Sequence, residues 1–395
     1  MTPTDDAALR LARRPEAAES LTERGHALRR AGDGAGAEAL WREALAASPD
    51  HAPAHMALVQ SCYERGDWPA YLAEVDRFEA LRPGEPFLTY ERGYLDLLQG
   101  RMGEAWRRWD ARLAHPGYIP ADRRFPQPRW QGELFQGKTL LVTYEQGFGD
   151  TFMLARYLPL VKARGGRVLF LVQPQVAYLM TTLRGVDEVV PLGQPLPPFD
   201  LQAATFSLPA LFGTTLETVP AEIPYLDVPP AIPSREALAE ALAPSQGKVR
   251  IGLAWAGNPA HPRDAQRSIA PEAFGLLAGL DGVAWHSLQL GQTAPPPLPG
   301  LTDLAPLLRT FSDTAYALSG MDLVITVDTA LAHLAGALGV PVLLLLTYAP
   351  DPRWMLDRDD SPWYPSFRLY RQPRPGDWTP VLEHLAADLA GGPAA

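Results

Sequence analysis

Residues 322–346, DLVITVDTALAHLAGALGVPVLLLL, constrain the fold of this chain more than any other stretch. Leu323 to Val327 is an apolar run with β-branched residues, the pattern of a strand buried on both faces of a parallel sheet. Leu331, Leu334, Ala335 and Leu338 then fall at helical spacing. Gly339 and Pro341 stop the helix, and Val342 to Leu346 reads as the next strand. This strand–helix–strand unit gathers Asp328, Thr329 and His333 at a strand's carboxyl end, where open α/β sheets bind ligands. The helix start there offers unpaired N–H groups and a partial positive charge, which suit a phosphate or diphosphate. Plain helix capping is the competing reading of the same residues.

A similarly built turn lies earlier. The strand Leu140–Tyr144 leads into Glu145–Thr151, where Gln146, Gly147, Gly149 and Asp150 stand, and then into a helix over 151–163 that Pro159 should kink or break. Val168 to Gln173 follows as a strand. Gly147 and Gly149 lack the third glycine of a dinucleotide fingerprint, and no Gly-Lys-Ser/Thr marks a P-loop. An Asp at a helix start opposes phosphate binding. Asp150 instead suits a general base, with Gly149 letting a substrate approach the backbone; capping is again the alternative. Further strands are expected at 188–192 and 201–207, and the Pro-rich stretch 219–233 reads as a connection between domains.

A second α/β run opens with the strand Arg250–Trp255. Gly257, Asn258 and a loop holding Arg263 and Arg267 come next, then a strand over 284–289 ending in Gln289. A short helix over 313–320 precedes the 322–346 unit, and an amphipathic helix over 377–389 closes the chain. Two α/β halves, 138–232 and 233–395, should therefore enclose a cleft. A carboxylate on one side and an anion cradle on the other suit group transfer from a phosphate-activated donor.

The N-terminal third repeats instead. Gly32, Gly66 and Gly100 are spaced 34 residues apart, as are Trp41, Val75 and Trp109; Pro49, Pro83 and Pro116 nearly keep the step. A 34-residue period of paired helices resembles the tetratricopeptide repeat. One helix pair cannot bury its apolar face alone, so pairs stack into a concave array whose groove commonly holds a peptide or another domain. The repeats are assigned to 1–119, with a linker over 120–137 in which Phe125, Trp130 and Phe135 could pack on a neighbour.

Composition narrows the class. A net charge of −10 argues against a nucleic-acid binder. The single cysteine, Cys62, excludes an intrachain disulfide and is read as a small core residue. The N-terminus shows no signal-peptide h-region, and the longest apolar run, 340–346, is too short to span a bilayer. These features predict a cytoplasmic protein without a transmembrane segment.

EQGFGDT (145–151) resembles the Gly-x-Gly-Asp turn of the ADP-heptose:lipopolysaccharide heptosyltransferases, and VDTALAHLAGALGVPVLLL (327–345) resembles their Asp-Thr-Gly-x-x-His-Leu segment. The layout is similar to bacterial proteins that join tetratricopeptide repeats to a heptosyltransferase-like GT-B domain of two Rossmann-like halves. The resemblance implies an inverting, metal-independent glycosyltransferase with no cofactor beyond its nucleotide-sugar donor. Asp150 would be the base, in a turn whose Gln146, Gly147 and Gly149 face the acceptor. Thr329 and His333 would hold the donor diphosphate with Asp328, His333 titrating near pH 6.5. Arg267 is the nearest candidate for the cation that neutralises the leaving group, since the family's Lys is absent; Ala330 replaces a frequent Gly. Asn258 and Gln289 complete the donor candidates, and His261 and His286 are read as structural. A protein acceptor in the repeat groove is the expected partner. An inactive repeat/GT-B scaffold is the alternative.

Overall fold

The computed structural model describes residues 14–114, 118, 120–245, 247–291 and 294–391. The chain divides into two compact units, Met1–Leu95 with Ala111–His115, and Asp96–Asp110 with Pro116–Ala395.

The first unit is helical: α1 (Arg14–Arg30), α2 (Gly34–Ala47), α3 (Ala52–Arg65), α4 (Trp68–Leu81) and most of α5 (Pro86–Leu98). The 34-residue period has a local cause. Gly32 and Gly66 adopt φ of +88° and +64°, a left-handed conformation that glycine reaches without strain. The Asp that follows each one caps the next helix: Gly36 N donates to Asp33 Oδ1 at 2.8 Å and Ala70 N to Asp67 Oδ1 at 3.1 Å. Trp41 and Val75, one period apart, are buried. Around Trp41 the fit is tight, because a Cβ on Gly25 would lie 2.3 Å from its indole nitrogen. Cys62 is buried, as expected, and burial pushes its thiol up to about 11. Pro116, the third proline of the period, lies outside the described residues.

The expected boundary near residue 119 is displaced, because α6 (Met102–Trp109) belongs to the second unit. Its Trp106 meets Trp363 edge-on at 5.9 Å and Trp109 stacks on Phe206 at 5.6 Å. Leu356 N also donates to Leu98 O. The apolar face of α6 is thus satisfied by α/β residues instead of by a further repeat.

The second unit contains two parallel sheets. One has the order β3-β2-β1-β4, with β1 (Thr139–Thr143), β2 (Arg167–Val172), β3 (Glu188–Pro191) and β4 (Leu201–Ala204). The other has the order β10-β9-β8-β5-β6-β7, with β5 (Val249–Ala254), β6 (Val283–Ser287), β7 (Thr302–Asp303), β8 (Leu323–Val327), β9 (Val342–Leu346) and β10 (Phe367–Arg371). In each sheet the chain starts centrally, winds to one side, then returns to the other side of its first strand. This reversal creates a switch point between β1 and β4 and another between β5 and β8, and crevices open at such points.

Three expectations need correction. The stretch read as a linker is built into the first half: Trp130 N donates to Gln202 O at 2.8 Å, Gln202 N returns to Pro128 O at 3.1 Å, and Trp130 and Phe135 are buried. The helix expected over 151–163 begins earlier, at Phe148, and is broken near Pro159 as expected, into α7 (Phe148–Ala155) and α8 (Leu158–Lys162), with Pro159 in the first turn of the second piece, where its missing N–H costs nothing. The strand β10 was not anticipated at all. The C-terminal helix α12, spanning Thr379–Ala390, buries Val381, Leu382 and Leu385 in the core of the second half, alongside Trp255, Ile325 and Leu345.

Candidate active site

Two turns face each other at the switch points. After β1 the chain passes Gln146, held at φ +54°, to Gly147, the N-cap of α7. Asp150 stands at the third helical position, so it is not the cap itself. It reaches back, its Oδ2 accepting from Gly147 N at 2.9 Å. Gln146 turns outward, and its Nε2 donates to Tyr118 Oη at 2.7 Å.

After β8, Thr329 is the N-cap of α11 (Ala330–Ala337), but its hydroxyl makes no capping bond. The helix start, Thr329 to Leu331, lines the cleft, and the Thr329 side chain covers none of its first N–H groups. Arg267 braces the strand end: Nη1 donates to Asp328 O at 2.9 Å and Nε to Asp264 Oδ1 at 3.0 Å. Gly257 makes room for it, since a Cβ there would lie 2.3 Å from Nη2.

Gly149 has a structural use beside the one expected. A Cβ at this position would come within 2.8 Å of His333 Cδ2 and 3.4 Å of Ala330 Cα. The glycine lets α7 pack directly on α11 and joins the halves, and it also lines the cleft. Arg156, buried behind it, secures the same junction: Nη1 donates to Trp363 O at 2.5 Å, Nε to Met153 O at 2.9 Å, and Nη2 to Tyr225 Oη at 3.2 Å.

His333 is buried between these helices. Its Nε2 lies 3.2 Å from Arg353 Nη1 and its Nδ1 lies 3.0 Å from Tyr364 Oη. A guanidinium can only donate, so Nε2 carries the lone pair and Nδ1–H donates to the tyrosine. Burial, then the charges of Arg353 and Arg156, hold its pKa well below the ordinary imidazole value. The expectation that His333 titrates near pH 6.5 and adds charge to a bound anion is therefore corrected: the ring is a neutral brace.

Arg353 is the residue that sequence reasoning missed. Its Nη2 donates to Asp150 Oδ1 at 2.7 Å and its Nε to Asp351 Oδ1 at 2.7 Å. It sits in a loop dense in Asp, Arg and Pro that reads as solvated surface. The usable signal was its position just beyond β9, at the carboxyl edge of the same sheet. Desolvation pushes the carboxyl of Asp328 up to about 6, with Asp351 adding to the rise and Arg353 opposing it.

Every residue nominated from sequence lines one cleft of about 810 Å³: Gln146, Gly147, Gly149 and Asp150 on one wall, Asn258, Arg267, Gln289, Asp328, Thr329 and His333 on the other. Arg353, Asp351, His261 and Phe311 line it too. The size falls within the range of small-molecule sites, roughly 300–1,000 Å³. Two donor candidates also bond to the protein itself. Gln289 Oε1 accepts from Trp255 N and Ala256 N, and its Nε2 donates to Leu290 O, so its amide secures the end of β5. Asn258 Oδ1 accepts from Ala260 N and closes a turn. His286 lies away from the cleft against Ser245. Among the described residues, no group of three His, Cys, Asp or Glu could hold a metal ion, and no helix is long and apolar enough to cross a membrane.

This geometry places a carboxylate opposite an uncapped helix N-terminus with two arginines beside it. Residues 295–372, which carry the Asp328–His333 turn and Arg353, match the family described as Glycosyltransferase family 9 (heptosyltransferase). The match supports a glycosyltransferase with a heptosyltransferase-like domain. The chain is also 28% identical over 409 residues to Protein FlbA of Caulobacter vibrioides, covering 95% of this chain and 67% of that protein. Among solved structures it is similar to a glycosyl transferase family 9 protein from Veillonella parvula, at 12% identity over 62% of this chain and 88% of that one, with a TM-score of 0.46. It is also similar to ADP-heptose lps heptosyltransferase II of E. coli, at 15% identity over 64% of this chain and 99% of that one, with a TM-score of 0.44.

Proposed function

We propose that this chain transfers a sugar from a nucleoside-diphosphate sugar to an acceptor hydroxyl, with inversion and without a metal ion. The observation that carries the reading is the pairing, across one cleft, of the Asp150 carboxylate with the uncapped start of α11. Asp150 takes the proton of the acceptor hydroxyl. The oxygen bonds to the anomeric carbon as the bond from that carbon to the diphosphate breaks, and the electron pair leaves on the diphosphate. The α11 N–H groups, the Thr329 hydroxyl and Arg267 stabilise the charge that develops there. His333 orients this wall without carrying charge.

The helical N-terminal unit is read as tetratricopeptide repeats that recruit a protein acceptor. The support is its 34-residue period, with a left-handed glycine and a capping Asp at each inner turn of the first two pairs.

A melting scan of the full chain against ADP, GDP, UDP and CDP tests the donor site. A ligand at a hundred times its Kd stabilises the native state by about 2.7 kcal/mol. One nucleotide should raise the melting temperature clearly above the others. If none does, the cleft is not a nucleotide-sugar site.

A further inference from the structure

Arg353 touches functional groups of both halves. It bonds Asp150 from the first half at 2.7 Å, Asp351 from its own loop at 2.7 Å, and His333 Nε2 at 3.2 Å. Its side chain is 13% exposed, and it lines the cleft next to Asp328, Thr329 and Arg267. A guanidinium presents a rigid planar fork that fits a carboxylate or a diphosphate equally well in shape, but a diphosphate carries more charge and more acceptor oxygens.

We propose that Arg353 is a donor-gated latch, occupying the Asp150 carboxylate until a donor diphosphate takes over the guanidinium and leaves Asp150 Oδ1 open to the acceptor hydroxyl. The inference rests on the cleft being the donor site. The exchange is mechanically small. Asp351 holds Arg353 mainly through Nε at 2.7 Å, with a longer contact from Nη2 at 3.4 Å, so the change of partner falls on the Nη end. Asp150 does not lose its place, because Oδ2 stays fixed by Gly147 N at 2.9 Å. His333 forms the back wall: its lone pair faces Nη1, and its neutral ring adds no competing charge. The consequence is an order of events. The base is released where a donor is already bound, so acceptor deprotonation is tied to donor occupancy.

The latch makes a prediction opposite in sign to the usual effect of damaging an active site. Asp150 and the diphosphate compete for one cation, so removing the Asp150 charge should tighten nucleotide binding. Calorimetric titration of the full chain with ADP, GDP, UDP and CDP would be run on the wild type, Asp150→Asn, Arg353→Gln and the double variant. Arg353→Gln should weaken the best nucleotide by roughly ten- to hundredfold. Asp150→Asn should tighten it by roughly three- to thirtyfold, and that gain should vanish in the Arg353→Gln background. Arg353→Lys, which keeps the charge and loses the fork, replaces Gln in the cycle if the Gln variant does not fold; the gain should then shrink. An equal gain in both backgrounds would show plain relief of charge repulsion and overturn the latch, as would no gain at all. If no nucleotide binds the wild type, the donor reading itself falls, and the latch falls with it.

Discussion

The turns after β1 and after β8 both join a strand beside a switch point to a helix, β1 being the strand from which its sheet starts and β8 the one on which the second sheet returns. They differ in what fills the helix start. In the first, Asp150 supplies its own carboxylate, which accepts from Gly147 N. In the second, Thr329 leaves its hydroxyl free of the cap, and Arg267 holds the carbonyl of Asp328. A helix that carries an anion in its first turn has already used its partial positive charge; it repels a phosphate and presents a base. A helix that carries none remains open to an external anion. Two strand–turn–helix units thus present a carboxylate in one case and a helix start without a side-chain cap in the other, and the divergence comes down to a few side chains.

The largest test of this contrast removes the base alone. Asp150→Asn keeps the bond from Gly147 N and the shape of the turn but cannot accept a proton. Turnover, followed as nucleoside diphosphate released in the presence of acceptor, should fall by roughly 10²–10⁴-fold. A rate within about threefold of wild type would exclude Asp150 as the base.

The next test addresses what brings the two turns together. Gly149→Ala places a Cβ 2.8 Å from His333 and 3.4 Å from the α11 backbone. The two helices must separate, and the loss should be roughly 1–3 kcal/mol in urea unfolding. Gly279→Ala is the control, because a Cβ there meets nothing within 4 Å. If Gly149→Ala unfolds like the control yet loses activity, the glycine serves substrate approach after all, as its place in the Gly-x-Gly-Asp turn suggests.

Much of this arrangement is legible in sequence because it follows from local rules. Leu323–Val327 and Val342–Leu346 are apolar throughout because both faces of a central parallel strand are covered. The 34-residue period shows because Gly32, Gly66 and Gly100 each take a left-handed turn, and after the first two an Asp caps the next helix. What escapes is decided by distant residues. β10 carries Arg368 and Arg371 between apolar residues and is flanked by prolines, so it resembles loop until β9 pairs with it. Arg353 looks like one more surface charge until Asp150, 203 positions away, proves to be its partner. The neutral state of His333 is likewise set by a buried site that no spacing announces. Helix α6 obeys the repeat pattern and still packs with the α/β unit, because Trp106 and Trp109 find Trp363 and Phe206 there.

The smallest effect separates the two acids of the turns. The Asp328 carboxyl is raised from 3.8 to about 6 in the folded chain, mainly by desolvation. An acid with a folded-state value above its unfolded one holds its proton more tightly in the native state. Between about pH 4 and 6 the native chain therefore binds more protons than the unfolded chain, so this group's contribution to stability falls as pH rises through that window and stays lost above it. Asp328→Asn removes the charge and keeps the carbonyl that Arg267 holds. It should be nearly neutral at pH 4 and should stabilise the protein at pH 8 by no more than about 3 kcal/mol, read as a difference between melting curves at the two pH values. His333 contributes with the opposite sign, its neutral ring favouring the native state as pH rises toward 6.5, but it is common to both proteins and cancels in the difference. An offset that is the same at pH 4 and pH 8 would mean that the carboxyl is not raised. The Asp328 carboxyl would then be ionised from about pH 4 upward instead of from about pH 6, and the contrast with the Asp150 turn in this range would rest on the uncapped N–H groups and Arg267 alone.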